Sequence, residues 1–140
     1  MNKRTCLYDR HVQLGANIQP FGGFDMPIEY SSIIEEHLAV RQHCGVFDVS
    51  HMGEVFVRGV DAERYVNHIF TNDVTGAPLH QIFYGMMCYP NGGTVDDLLV
   101  YKMAEQEFFI VINAANIDKD DAWIGQNAEG DRKSTRLNSS

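Results

Sequence analysis

The chain has 140 residues with 11 Lys+Arg against 19 Asp+Glu, a formal net charge of −8, and it is 44% hydrophobic and 21% charged. That much apolar material excludes a wholly disordered chain. The acidic balance argues against a duplex-binding protein, because neutralising phosphates takes clustered Lys/Arg.

From Leu7 to Tyr30 the chain is rich in Gly, Pro and aromatics (Gly15, Pro20, Phe21, Gly22, Gly23, Phe24, Pro27, Tyr30) and reads as an irregular packed segment with one short strand at most. A helix follows. Ser32 with Glu35 matches a capping box, Ile33, Ile34, His37, Leu38, Val40 and Cys44 recur at helical spacing, and Gly45 is the expected C′ stop. The period then changes to two, which predicts short strands at Val46–Val49 and Glu54–Arg58 around Ser50-His51-Met52-Gly53. Asp61 is the expected cap of a second helix reaching about Phe70, with Ala62, Tyr65, Val66, Ile69 and Phe70 on one stripe.

Ile82–Tyr89 and Thr94–Met103 are apolar strands around Pro90-Asn91-Gly92-Gly93, a strong hairpin signal. Phe108–Asn113 adds a strand, and Asn116 is placed to cap a helix over 117–127, with Asp118, Asp120 and Asp121 near its positive end. The order predicts an α+β fold: a mixed or antiparallel sheet with packed helices on one side.

Three segments carry polar residues suited to chemistry. In Asn91–Tyr101, Asp96 and Asp97 open an apolar strand, and alternation sends Asp97, Leu99 and Tyr101 to one face and Asp96, Leu98 and Val100 to the other. The two Asp therefore do not form a dyad, and one of them shares a face with Tyr101, where a carboxylate and an aromatic ring suit a nitrogen heterocycle. The ordinary role of such an Asp is to satisfy turn N–H groups. Asp48, Ser50 and His51 lie too close in sequence for a triad, and no GxSxG elbow is present. On chemistry alone that segment is a polar turn, with Met52 as an adaptable ligand contact in the alternative. Asn113 and Asn116, where a strand opens into a helix, fit a ligand amide or plain capping about equally.

Gly22-Gly23 and Gly92-Gly93 match no phosphate-binding loop, and His37, His43, His51, His68 and His80 are too scattered to indicate a metal. Cys6, Cys44 and Cys88 form no CxxC pair, so neither a disulfide framework nor a zinc site is expected, and a reducing compartment fits. Lys3 and Arg4 have no apolar run behind them and no window approaches a membrane span. No signal peptide and no membrane association are expected, and the expected setting is cytoplasmic.

The runs Tyr8-Asp9-Arg10-His11, Phe21-Gly22-Gly23-Phe24-Asp25-Met26-Pro27-Ile28, Gly45-Val46-Phe47-Asp48-Val49-Ser50-His51-Met52-Gly53-Glu54, Thr71-Asn72-Asp73-Val74, Gly92-Gly93-Thr94-Val95-Asp96-Asp97-Leu98-Leu99-Val100-Tyr101 and Val111-Ile112-Asn113-Ala114-Ala115-Asn116-Ile117 share an order and spacing. Together they resemble the aminomethyltransferase (T-protein) family of the glycine cleavage system, from about Leu7 to Gly130, with departures such as Phe24 where a Trp is usual. The resemblance implies the family's folate-binding fold, present here incompletely. It implies transfer of the aminomethyl carbon from the lipoyl arm of the H-protein to tetrahydrofolate, with release of ammonia. The folate contacts it carries over are Met52, Tyr84, Asp97, Tyr101 and Asn113. Asp97 matches the catalytic carboxylate that positions the pterin and faces a cationic intermediate.

The resemblance covers less than half of a family member, so the expectation is a fragment that is inactive alone. Residues 1–51 would belong to a discontinuous first domain, and 52–130 would form the α+β folate-contacting domain. Two alternatives share the fold: a folate-dependent demethylase and a non-catalytic folate-binding module. Residues 131–140 carry three cations and one anion, whereas 1–130 carry 8 against 18. This tail is expected to be a frayed polar terminus or, preferably, sequence foreign to the rest.

Overall fold

The structure, a computed structural model, describes residues 1–128 and the backbone of residues 135–139. The chain divides into two compact units, Met1–His51 and Met52–Ser140.

In the first unit β1 (Lys3–Arg4), α1 (Tyr8–Gln13), β2 (Asn17–Phe21), β3 (Phe24–Glu29) and α2 (Ile33–Gln42) follow in order. The strands form a sheet ordered β1-β3-β2, with β2 antiparallel and β1 parallel to β3. The Leu7–Tyr30 segment is thus more regular than its composition suggests. Gly22 and Gly23 both have positive φ (56° and 85°), the backbone a two-residue hairpin turn between right-twisted strands requires. Pro20 is accommodated because β2 is an edge strand.

Ser32 caps α2 as expected, its hydroxyl accepting from Glu35 N at 3.2 Å. The helix, however, closes at His43, whose N–H bonds to the Ala39 carbonyl at 2.8 Å, two residues before Gly45. None of its residues is buried among the described residues. Val46–Val49 is not a strand. Its Asp48 turns inward, and Val46, Phe47 and Val49 are exposed.

The second unit contains β4 (Gly53–Arg58), α3 (Ala62–Ile69), β5 (Ile82–Cys88), β6 (Thr94–Ala104), β7 (Glu107–Ile112), a 3-10 turn (Ala114–Asn116), α4 (Ile117–Ala128) and β8 (Thr135–Ser139). Its antiparallel sheet is ordered β5-β6-β7-β4-β8. One face packs on the α3 stripe, where Ala62, Tyr65, Val66, Ile69 and Phe70 are all buried, and on Ile124 of α4. The core strands contribute Val55, Val57, Leu98, Val100, Phe108, Ile110 and Ile112. Each large side chain buried this way contributes roughly 1.5–3 kcal/mol.

β8 lies where no element was expected. Its backbone pairs with β4 from Arg58↔Thr135 to Glu54↔Ser139. A sheet edge accepts a neighbour through main-chain N–H and C=O groups, so alternating apolar residues are not required. Residues 129–134 and 140 of this stretch lie outside the described residues.

Candidate functional site

Burial along β6 alternates from Asp96 onward: Asp96, Leu98, Val100 and Lys102 are buried, whereas Asp97, Leu99 and Tyr101 are half-exposed. The ladder registers extend that second face across the sheet. Tyr84 pairs with Leu99, Met86 with Asp97, Leu99 with Val111, Tyr101 with Phe109, and Val111 with Glu54. Because successive side chains alternate, Asn113 (two beyond Val111) and Met52 (two before Glu54) have the same parity. Tyr84, Asp97 and Tyr101 therefore belong to the sheet face opposite α3, and the other two expected residues, Met52 and Asn113, lie one residue beyond the ends of β4 and β7.

Three of the five are hydrogen-bonded together. The Tyr84 hydroxyl donates to Asp97 Oδ2 at 2.8 Å. The Asn113 side-chain N–H groups reach Asp97 Oδ1 (3.1 Å), the Asp97 carbonyl (2.9 Å) and Asp96 Oδ1 (3.1 Å). Each Asp97 oxygen thus has one fixed donor and keeps a lone pair for another. The bond to Asp97, then the carboxylate's charge, pushes the Tyr84 hydroxyl above its ordinary value, so it remains a donor.

Tyr101 does not join this group but packs its ring on Phe109 (centroids 5.7 Å), which in turn meets Phe56 (4.9 Å). Met52 stands half-buried beside Gly53. The face is an aromatic and aliphatic floor with one oriented carboxylate at its edge. Such a floor suits a flat heterocycle, with the carboxylate and the Asn113 amide available to its polar edge.

Behind Asp97 the other Asp does something the sequence did not reveal. Asp96 is buried and accepts from both Asn113 and Asn116 through Oδ1 (3.1 and 3.0 Å). Asn116 therefore donates its amide to a strand rather than capping α4. Asp120, expected near the positive end of that helix, is 0% exposed, and its carboxyl meets that of Asp96. A signal was present: Asp120 falls on the same stripe as Ile117 and Ile124 at i+3 and i+7.

The first unit holds a separate polar cluster. His11, buried on α1, meets Asp48 Oδ2 through Nε2 (2.8 Å) and the Tyr30 hydroxyl through Nδ1 (2.6 Å). An Nε2–H tautomer satisfies both, donating to Asp48 and accepting from Tyr30. Asp48 also accepts from Ser50 N (2.9 Å) and the Thr5 hydroxyl (3.3 Å). Burial opposes its charge, but the bonds from Ser50, His11 and Thr5 outweigh that and lower its pKa to about 2. A groove of about 570 Å³ beside α2 is lined by Tyr30, Glu36, Val40, Phe47 and Asp48, among others. None of the five expected site residues lies in it.

Comparison with known proteins places these features in context. The family model described as GCVT N-terminal domain matches residues 7–140. The chain belongs to that family. The GCVT match extends beyond Gly130, where the resemblance read from the sequence stopped. Among curated relatives, the aminomethyltransferase of Moorella thermoacetica is 55% identical over 130 residues, covering 93% of this chain and 36% of that protein. That of Bacillus velezensis is 51% identical over 131 residues, covering 94% and 36%. The crystal structure of glycine cleavage system aminomethyltransferase T from Bartonella henselae superposes with a TM-score of 0.93 at 31% identity, covering 99% of this chain and 38% of that one. The chain thus spans little more than a third of the length of these GCVT relatives.

Proposed function

We propose that this chain forms the folate-facing N-terminal portion of an aminomethyltransferase of the glycine cleavage system. The observation that carries the reading is the Tyr84–Asp97–Asn113 group, one oriented carboxylate beside the aromatic face of the sheet, in a chain of the GCVT family. Tetrahydrofolate, the co-substrate, accepts the one-carbon unit. The aminomethyl carbon leaves the sulfur of the lipoyl arm and the nitrogen departs as ammonia. The two hydrogens lost from the folate nitrogens end on the thiol and on ammonia, so no redox partner is needed. The lipoylated H-protein is the proposed donor, and a cytoplasmic setting is the proposed location. Kinship with aminomethyltransferases supports both.

The residues of this chain would divide the work by position. Tyr101, Phe109 and Met52 supply apolar and aromatic contact for the pterin. Asn113 and Tyr84 fix both Asp97 oxygens, so the carboxylate is already oriented where positive charge develops and needs no reorganisation. Replacing Asp97 by Asn in the full-length protein keeps the shape and removes the charge. Transfer of labelled methylene from aminomethyl-lipoyl H-protein to tetrahydrofolate is expected to slow by about 100-fold or more. Transfer at the unaltered rate would refute the assignment of Asp97, and a non-catalytic folate-binding module would be the better description if no transfer occurs in either form.

A further inference from the structure

Asp96 and Asp120 are two buried carboxyl groups, from β6 and α4, that meet each other. Asp96 Oδ1 already takes two amides, Asn113 and Asn116. Among the described residues no N–H or O–H bonds to Asp96 Oδ2 or to either oxygen of Asp120. Lys119 Nζ stands 3.7 Å from Asp120 Oδ1, beyond hydrogen-bonding range, and donates instead to the Val95 carbonyl. Two carboxylates in contact repel and neither can donate, so an arrangement with both ionised would leave three buried acceptor oxygens facing one another.

We propose that Asp96 and Asp120 share a single proton and act as a positioning pair, through which Asp96 holds Asn113 and Asn113 holds the Asp97 carboxylate at the candidate site. The proton resides mainly on Asp120, whose O–H donates to Asp96 Oδ2, and Asp96 keeps the negative charge that its two amide donors require. Burial, then the bond and charge of Asp96, push Asp120 up to about 8, against a smaller opposing effect of Lys119. Asp96 moves the other way, because the bonds from Asp120, Asn113 and Asn116 outweigh its burial. The groups acting on the pair are thus Lys119 from α4, Asn113 between β7 and the 3-10 turn, Asn116 from that turn, and Asp97 from β6. From the packed face of α3, the Tyr65 hydroxyl bonds to the Ile124 carbonyl. The sharing of the proton stands on the burial of both carboxyls, their unpartnered oxygens and their mutual interaction, whereas its consequence for a ligand rests on the folate reading above.

The test uses the full 140-residue chain and the variants Asp120→Asn and Asp120→Leu. Asn mimics the protonated acid, since its amide donates to Asp96 at every pH. Infrared spectra of the wild type should show a protonated-carboxyl C=O band at neutral pH that disappears above about pH 8 and is missing from Asp120→Asn. The side-chain amide NMR signals of Asn113 and Asn116 should titrate with that band in the wild type and stay flat in Asp120→Asn. With 5-formyl-tetrahydrofolate as probe, wild-type affinity should fall about tenfold across the same transition, the equivalent of one pKa unit of coupling, while Asp120→Asn keeps neutral-pH affinity throughout. Asp120→Leu should lose the Asn113 signal position even where it folds. A folded wild type without the band, or Asn113 and Asn116 signals that titrate alike in wild type and Asp120→Asn, would overturn the proposal. Absence of folate binding in every form would fail the folate reading instead, and the infrared and NMR results would still decide whether the proton is shared.

Discussion

Asp48→Asn keeps the size of the side chain that organises the first unit and removes its charge. The wild-type carboxylate is almost fully buried, with 4% of its side chain exposed, and receives donors from Thr5, His11 and Ser50. Those donors lower its pKa from 3.8 to about 2. The native state therefore binds fewer protons than the unfolded state in that interval. The stabilisation is fully present above about pH 4 and is lost as pH falls through about 2. At 1.36 kcal/mol for each unit, the shift corresponds to about 2 kcal/mol at neutral pH. Urea unfolding followed through the His11 ring-proton signals at about pH 6 and about pH 2 measures it. Asp48→Asn should be less stable by about 2 kcal/mol at the higher pH, and the gap should close at the lower. Equal stability at the higher pH, or a gap that acid leaves unchanged, would refute the reasoning.

Two further substitutions probe the sheet. Tyr84 is 66% exposed, and its hydroxyl contacts Asp97. Tyr84→Phe should leave the urea midpoint within about 0.5 kcal/mol of wild type and weaken 5-formyl-tetrahydrofolate binding by about three- to tenfold in calorimetric titration. Gly85 is buried on β5, and a Cβ there would meet the Phe70 ring at 2.7 Å and collide with Asn72 Oδ1. Because Phe70 belongs to the core, Gly85→Ala should cost about 1–3 kcal/mol in urea unfolding followed by Trp123 fluorescence.

Where the sequence carried a periodic signal backed by a turn, the fold was readable. The α3 stripe, the β5–β6 hairpin and the parity of β6 follow from apolar spacing, and that parity alone places Asp97 with Tyr101 and apart from Asp96. Tyr84 was legible only through family resemblance, and Asn113 only as a ligand amide or a cap with equal weight, because strand register brings the two to Asp97 from 13 and 16 residues away. Composition misled at Leu7–Tyr30, where glycines read as irregularity are the turn of a hairpin. It misled again at Val46–Val49, where alternation coincides with an exposed segment and the buried residue is the charged one. Asp120 went unrecognised because a carboxyl near a helix N-terminus normally faces water and the dipole. Its burial depends on Asp96, on a strand 24 residues earlier, and on a proton that no sequence pattern records.

The central claim is that folate binds the sheet face bearing Asp97. An NMR titration of the chain with 5-formyl-tetrahydrofolate tests it most directly. The account predicts that the backbone and side-chain signals of Tyr84, Asp97, Tyr101 and Asn113 shift together in a saturable way, and that Asp97→Asn abolishes or markedly weakens the response. Saturable shifts confined to residues 1–51, or shifts indifferent to Asp97→Asn, would contradict it.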